Sequence, residues 1–339
     1  MRQICLTKKS KISNYDIPYI IAELGSNHNG DMELARKLII AAKDAGADCV
    51  KFQSWSKETI FSRIKYEENC FLDDDYKKRT DWTLEEIVDA YAISREELRE
   101  MKRFADTIGV DCIATPFSRV EVDFLVDELD MPFIKVASMD LNNYPFLEYI
   151  AGKGKPVVLA TGLSDLYEID RAIRTIERTG NKQLIILHCV SIYPPEDAQV
   201  NLRNILTLQQ LYPDYPIGFS DHTLGTTLAF ASVALGACLI EKHFTLDKNL
   251  PGWDHQVSAT PDEMSCICTE TKRIVQAMGT SRIACVEDER RRKEFRRSIV
   301  LARDMKKGEF ISEEDIDYKR PGTGLAPEKK GPSGNSVGE

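Results

Sequence analysis

From residue 19 onward the chain alternates between two hydrophobic patterns. Short apolar runs, nearly continuous and rich in β-branched residues, occur at 19–23, 49–53, 112–115, 133–138, 157–161, 185–190, 217–220 and 239–243. Between them lie segments in which apolar residues recur every three to four positions, at 32–45, 95–108, 120–129, 166–178, 202–211 and 226–235. In the first of these, Leu34, Leu38, Ile39 and Ala42 share one helical face and Gly46 supplies a stop. Strands without apolar–polar alternation are those covered on both faces. Eight β-then-α units therefore predict a closed (β/α)8 TIM barrel. A doubly wound open sheet is the alternative, but it would not place chemistry at the ends of all eight strands.

The flanks read differently. Residues 1–16 predict a short hairpin, and the helical pattern at 261–278 completes a barrel domain over 1–280. The stretch 55–92, with Trp55, the run Asp73-Asp74-Asp75 and Trp82, is longer than a barrel needs. It is expected either to cover the barrel mouth or to run as a solvated excursion. Residues 281–295 are densely charged with both signs and read as a solvated linker. Residues 296–339 form a small second unit, too short for a core of its own.

Composition narrows the function class. Hydrophobic residues make up 42% and charged residues 29% of the 339 positions, as in a soluble enzyme. A net charge of −9 argues against a nucleic-acid or anionic-membrane partner. No apolar run approaches the roughly 20 residues that span a bilayer, and the opening Met-Arg-Gln-Ile-Cys lacks a signal-peptide core. The nine cysteines show no paired metal-type spacing, so a reducing, cytoplasmic setting is expected. Cys49, Cys112, Cys189 and Cys238, inside apolar runs, read as small hydrophobes, and Cys266 and Cys268 as inert.

In such a barrel function sits at the C-terminal ends of the strands. There the runs end in Glu23, Lys51 with Gln53, Thr115, Lys135 with Ser138 and Asp140, Thr161, His188 with Ser191 and Tyr193, Ser220-Asp221-His222, and Glu241-Lys242-His243. Two histidines on neighbouring strands suit a divalent metal with open positions, the alternative being two satisfied strand-end imidazoles. Lys51 and Lys135 are ammonium groups inside apolar runs, unfavourable without an anion to face. With the surrounding hydroxyls they resemble a cradle for phosphate and carboxylate. His28 and His255 flank the mouth as loop residues, and His188 reads as structural.

Ten motifs in order resemble the sialic acid synthase family, which makes N-acetylneuraminate, legionaminate and pseudaminate. They are Ala22-Glu-Leu-Gly-Ser-Asn-His-Asn-Gly30, Lys51-Phe-Gln53, Ala114-Thr-Pro-Phe117, Lys135-Val-Ala-Ser138, Asn142-Asn-Tyr-Pro145, Leu187-His-Cys-Val-Ser-Ile-Tyr-Pro194, Gly218-Phe-Ser-Asp-His-Thr223, Glu241-Lys-His-Phe-Thr-Leu-Asp247, Gly252-Trp-Asp-His255 and Lys319-Arg-Pro-Gly-Thr-Gly324. The resemblance implies condensation of phosphoenolpyruvate with the open-chain aldehyde of an N-acylated amino sugar, releasing phosphate. By that likeness His222 and His243 match metal ligands for Mn²⁺ or Mg²⁺. Lys51, Thr115, Lys135, Ser138, Ser191 and Ser220 match phosphoenolpyruvate contacts, with Gln53 nearby. Glu23 matches an acid that positions the sugar or the attacking water. Tyr193 and Asp254 match sugar contacts, and Asp140 stands where members often carry Glu. Arg320 matches an arginine that a C-terminal antifreeze-like (SAF) domain inserts into a partner's site, implying a domain-swapped homodimer. That domain is expected to be a partial one here. N-acetylmannosamine and a 2,4-diacetamido-6-deoxyhexose are the candidate sugars; a 6-phosphorylated sugar is disfavoured by the lack of an extra basic cluster. The reading from another class is a non-catalytic phosphosugar-binding paralogue.

Overall fold

The last strand of the main sheet pairs with the first, and this pairing shapes the larger domain. In the computed structural model, which describes residues 3–69 and 82–329, β1 (Ile4–Cys5) and β2 (Lys11–Ile12) form the expected hairpin. Eight parallel strands follow: β3 (Tyr19–Gly25), β4 (Cys49–Ser54), β5 (Asp111–Pro116), β6 (Ile134–Val136), β7 (Val157–Ala160), β8 (Leu184–Cys189), β9 (Ile217–Asp221) and β10 (Leu239–His243). Their order is β5-β4-β3-β10-β9-β8-β7-β6, so the β3–β10 ladder joins the two ends of the domain. Among the described residues, only the seam between β5 and β6 lacks a ladder. This is the expected (β/α)8 barrel, nearly closed.

Sequence explains most of the elements. Strands β3, β6, β7, β8, β9 and β10 are buried at every position, as continuous apolar runs require. The helix Met32–Asp44 starts where the Asp31 side chain accepts from the Glu33 and Leu34 N–H groups, and it buries Ala35, Leu38, Ile39 and Ala42. The helix Leu166–Arg178 starts at an Asp165–Glu168 capping box. The segment 120–129 is not a uniform α-helix: Arg119–Asp123 runs into a π-helical turn, Phe124–Glu128. A helix at Tyr144–Gly152, with proline in its first turn, went unpredicted.

The excursion after β4 is folded rather than solvated in its described part. Helices Lys57–Ile60, Arg63–Glu68 and Leu84–Tyr91 carry a separate apolar cluster of Trp55, Leu84, Ile87, Val88 and Tyr91, against which Phe117 and Trp253 pack. The acidic run Asp73–Asp75 lies outside the described residues.

The chain divides into two units, Met1–Gly279 and Thr280–Glu339. In the second, β11 (Ser298–Leu301) pairs antiparallel with β12 (Ile316–Lys319). Ser298 Oγ ties down the following loop, donating to the Pro321 carbonyl at 2.7 Å and accepting from Gly324 N–H at 2.8 Å. Within the stretch expected to be a solvated linker lies an exposed helix, Glu289–Phe295, capped by Asp288 and supported by Glu289–Lys293 and Arg290–Glu294 pairs one turn apart.

Candidate active site

Register decides which strand-end groups meet. On β10 the alternation of a strand sends Glu241 and His243 to one face and Lys242 to the other. Lys242 is fully buried in the barrel wall, donating to Asp221 Oδ2 at 2.8 Å and to the Thr223 carbonyl at 2.6 Å. Asp221 in turn accepts from the Thr223 N–H and hydroxyl. Asp221 and Lys242 are therefore structural.

The inward residues line a cavity of about 440 Å³ at the C-terminal end of the barrel. Eleven of the predicted residues lie in its wall: Glu23, Lys51, Gln53, Thr115, Lys135, Ser138, Ser191, Tyr193, Ser220, His222 and His243. Four do not. The Thr161 hydroxyl donates to the Leu187 carbonyl at 2.9 Å, and the residue faces a neighbouring cavity. Asp140 ends a 3-10 turn and accepts from Asn143 at 3.4 Å. Asp254 stands beside the wall, with Oδ2 3.7 Å from His243 Nδ1. Arg320 belongs to the second unit, its guanidinium 5.0 Å from the centre of the Phe295 ring. Among the described residues, none of the excursion 55–92 lines this cavity.

An alternating chain of charge crosses the floor. Lys51 Nζ lies 2.9 Å from Glu23 Oε2 and 3.2 Å from Glu241 Oε2, and it donates to Thr115 Oγ1 at 3.2 Å. Lys135 Nζ is 3.6 Å from Glu241 Oε1 and donates to the Val136 carbonyl. Gln53 donates to Glu23 Oε1, and Ser220 to Glu241 Oε1, each at 3.1 Å. Burial raises the Glu23 carboxyl well above the usual carboxylate range, although Lys51 works against it. Burial would raise Glu241 too, but Lys135 and Lys51 together hold it below the ordinary range. Burial lowers Lys135. The two cations foreseen from sequence thus face carboxylates.

Beside this floor the His222 and His243 rings stand 5.6 Å apart, with Tyr193 stacked on His222 at 4.1 Å and edge-on to His243 at 5.7 Å. His222 Nδ1 lies 2.7 Å from the Val190 carbonyl, so a neutral ring would carry its proton on Nδ1 and offer Nε2 as the lone-pair nitrogen. His243 Nδ1 is buried without a hydrogen-bond partner. Burial, reinforced by His222, pushes His243 well below its ordinary value, so its ring is neutral. His243 Nδ1, and His222 Nε2 in the neutral ring, are the imidazole nitrogens a cation would use. Among the described residues no group of three or more His, Cys, Asp and Glu is arranged around one ion, so water or substrate would complete any shell.

At the tips of β6, β7 and β8, Gly162 N–H donates to Ser138 Oγ at 3.1 Å. A Cβ on Gly162 would meet Ser191 Oγ at 2.3 Å and Ser138 Oγ at 2.7 Å, so only glycine leaves both hydroxyls in place.

Two ionisable wall residues, Glu241 and Cys189, were missing from the residues predicted for the site. Glu241 was legible as the residue two before His243 on one strand face. Cys189, read as a small hydrophobe, lies 3.5 Å from Ser138 Oγ and 3.9 Å from His222 Nδ1. Burial alone would raise its thiol, but His222 and Ser138 bring it down to about 7. The other histidines play no part in the wall. His188 Nε2 meets the Val200 carbonyl at 2.6 Å, and His255 bridges Thr245 and Asn29.

The NeuB family pattern matches residues 38–282, and the SAF domain pattern residues 296–331. The chain belongs to the NeuB family. This NeuB-family chain is 42% identical to an uncharacterised protein of Methanocaldococcus jannaschii over 308 residues, 91% of this chain and 86% of the relative. It is 38% identical to the N,N'-diacetyllegionaminic acid synthase of Legionella pneumophila over 91% of this chain and 87% of that one. The crystal structure of N-acetylneuraminic acid synthetase from Leptospira borgpetersenii, in complex with citrate, superposes with a TM-score of 0.76 at 33% identity, covering 86% of this chain and 94% of that chain.

Proposed function

We propose that the protein is a nonulosonic acid synthase that condenses phosphoenolpyruvate with the open-chain aldehyde of an N-acylated amino sugar. The observation that carries this reading is the shared cavity. Two lysines fixed on β4 and β6, a ring of hydroxyls and two neighbouring imidazoles open onto one space. A trianionic enol phosphate needs preset cations and neutral donors, and Lys51, Lys135, Thr115, Ser138, Ser191 and Ser220 supply them.

Carbon 3 of phosphoenolpyruvate attacks the aldehyde carbon and forms the new C–C bond, while the aldehyde oxygen takes a proton. Water adds at carbon 2, the bond between carbon 2 and the phosphate oxygen breaks, and inorganic phosphate leaves. A divalent cation held by His222 and His243, Mn²⁺ or Mg²⁺, would polarise the aldehyde oxygen when bound. Glu23, oriented by Gln53 and Lys51, is suited to take the proton of the attacking water, because burial has raised its basicity. Tyr193 walls the reacting atoms off from solvent and holds the His222 ring by stacking.

Of the lining residues only Lys51 and Lys135 are Lys or Arg, and both face the enol phosphate in this scheme. Apart from an Arg320 delivered by a partner subunit, that leaves no further cation for a phosphorylated sugar, and favours N-acetylmannosamine or a 2,4-diacetamido-6-deoxyhexose. Among the described residues no helix is long and apolar enough to cross a membrane, and this reading places the enzyme in the cytoplasm. A homodimer in which Arg320 enters the partner's cavity belongs to the same reading; a monomer by light scattering would remove it. The test of the reaction is phosphate release from phosphoenolpyruvate with a panel of amino sugars, with and without Mn²⁺. Release that needs both the sugar and the cation supports the reading, and no release with any sugar overturns it.

A further inference from the structure

Among the described residues, Glu241 alone contacts both cavity lysines. Its Oε2 is 3.2 Å from Lys51 Nζ, its Oε1 is 3.6 Å from Lys135 Nζ, and Ser220 Oγ donates to Oε1 at 3.1 Å. The residue is 5% exposed, and it sits on a strand hydrogen-bonded on both sides, so it cannot swing away freely. A buried carboxylate spanning two ammonium groups takes the place that an anionic ligand would take. Any phosphate drawn to Lys51 and Lys135 must share them with Glu241.

We infer that Glu241 is a built-in competitor for the anion site, weakening the hold of the two lysines on inorganic phosphate so that the product leaves. The consequence for turnover rests on the synthase reading above; the competition itself is a property of the protein without turnover. Lys51 keeps a second carboxylate, Glu23, at 2.9 Å, whereas the only ion pair of Lys135 among the described residues is the one with Glu241. Removing the Glu241 charge therefore frees Lys135 most.

The experiment is a calorimetric titration of the intact protein with inorganic phosphate, in the absence of sugar and phosphoenolpyruvate. Glu241→Gln should bind phosphate about tenfold more tightly than the parent protein, the scale of one unscreened charge contact. Glu241→Asp, which keeps the buried charge but withdraws it by one methylene, should shift affinity the same way and less. In turnover, KM for phosphoenolpyruvate and kcat should fall together in Glu241→Gln, because release of phosphate becomes slow. A merely structural role would lower kcat without tightening phosphate. Unchanged or weaker phosphate binding in Glu241→Gln overturns the inference, and where that variant does not fold, the same result in Glu241→Asp does so. Absence of turnover in the parent protein would sink the synthase reading and leave this titration to decide Glu241 on its own.

Discussion

Lys51 Nζ lies 2.9 Å from Glu23 Oε2, with both side chains buried on adjacent strands whose register sets Glu23 opposite Lys51. This pair explains how an acid and a base coexist in a dry cavity. Each makes the charge of the other tolerable, yet burial still leaves Glu23 more basic than a surface carboxylate.

Replacing the two lysines should separate their roles. Lys51→Met leaves Glu23 and Glu241 without their shared cation, and stability should fall by about 3–5 kcal/mol in denaturant titrations. Lys135→Met removes one longer pair and should lower stability by only about 1–2 kcal/mol. In the phosphate-release assay Lys135→Met should raise KM for phosphoenolpyruvate about tenfold or more, the worth of one lost charge-assisted contact. Equal stability losses in the two variants would contradict the charge network.

Gly162→Ala tests the hydroxyl cradle. The new methyl would collide with the Ser191 and Ser138 hydroxyls, which can rotate, and press on Ser138 Cβ at 3.1 Å, so the fold should survive with a modest loss in Tm. The hydroxyls must rotate aside, and affinity for phosphoenolpyruvate should weaken about tenfold, in line with losing one or two hydrogen bonds to a charged ligand. Unaltered KM and kcat would remove Ser138 and Ser191 from the site.

His28 supplies a pH prediction away from the cavity. Its ring is buried, with Nδ1 accepting from Gly30 N–H, and burial lowers its value from 6.5 to about 4. Between those limits the unfolded chain binds a proton that the folded protein refuses, so stability falls as pH drops from 6.5 towards 4. The loss, complete below about pH 4, is about 3 kcal/mol by that linkage. His28→Asn should flatten the stability-versus-pH curve over this window by close to one proton. An unchanged slope would show that His28 titrates normally.

The barrel was legible because buried parallel strands and amphipathic helices leave opposite periodicities in a sequence. Its eight apolar runs each fall on a strand, and the cavity residues follow from strand ends. What escaped has physical reasons. Glu241 and Lys242 are neighbours in sequence, and only the pleat tells that one faces the cavity and the other, held by Asp221, the wall. Thr161 looked like another free hydroxyl, but a strand-end threonine can satisfy the next strand's carbonyl, as it does with Leu187. Cys189 sat inside an apolar run, but as the last residue of β8 it turns inward to His222. The excursion after β4 gave no clear period, because its short helices are held by the Trp55–Tyr91 cluster rather than by a long amphipathic face.

The central claim is that one cavity joins an enol phosphate to a sugar aldehyde. Carbon-13 NMR of the reaction with phosphoenolpyruvate labelled at carbon 3 tests it most directly, run with Mn²⁺ and an N-acylated amino sugar. The account predicts that the label appears as a ring methylene coupled to sugar carbons, with one phosphate released per product. Label recovered as the methyl of pyruvate, with phosphate released whether or not sugar is present, would contradict it.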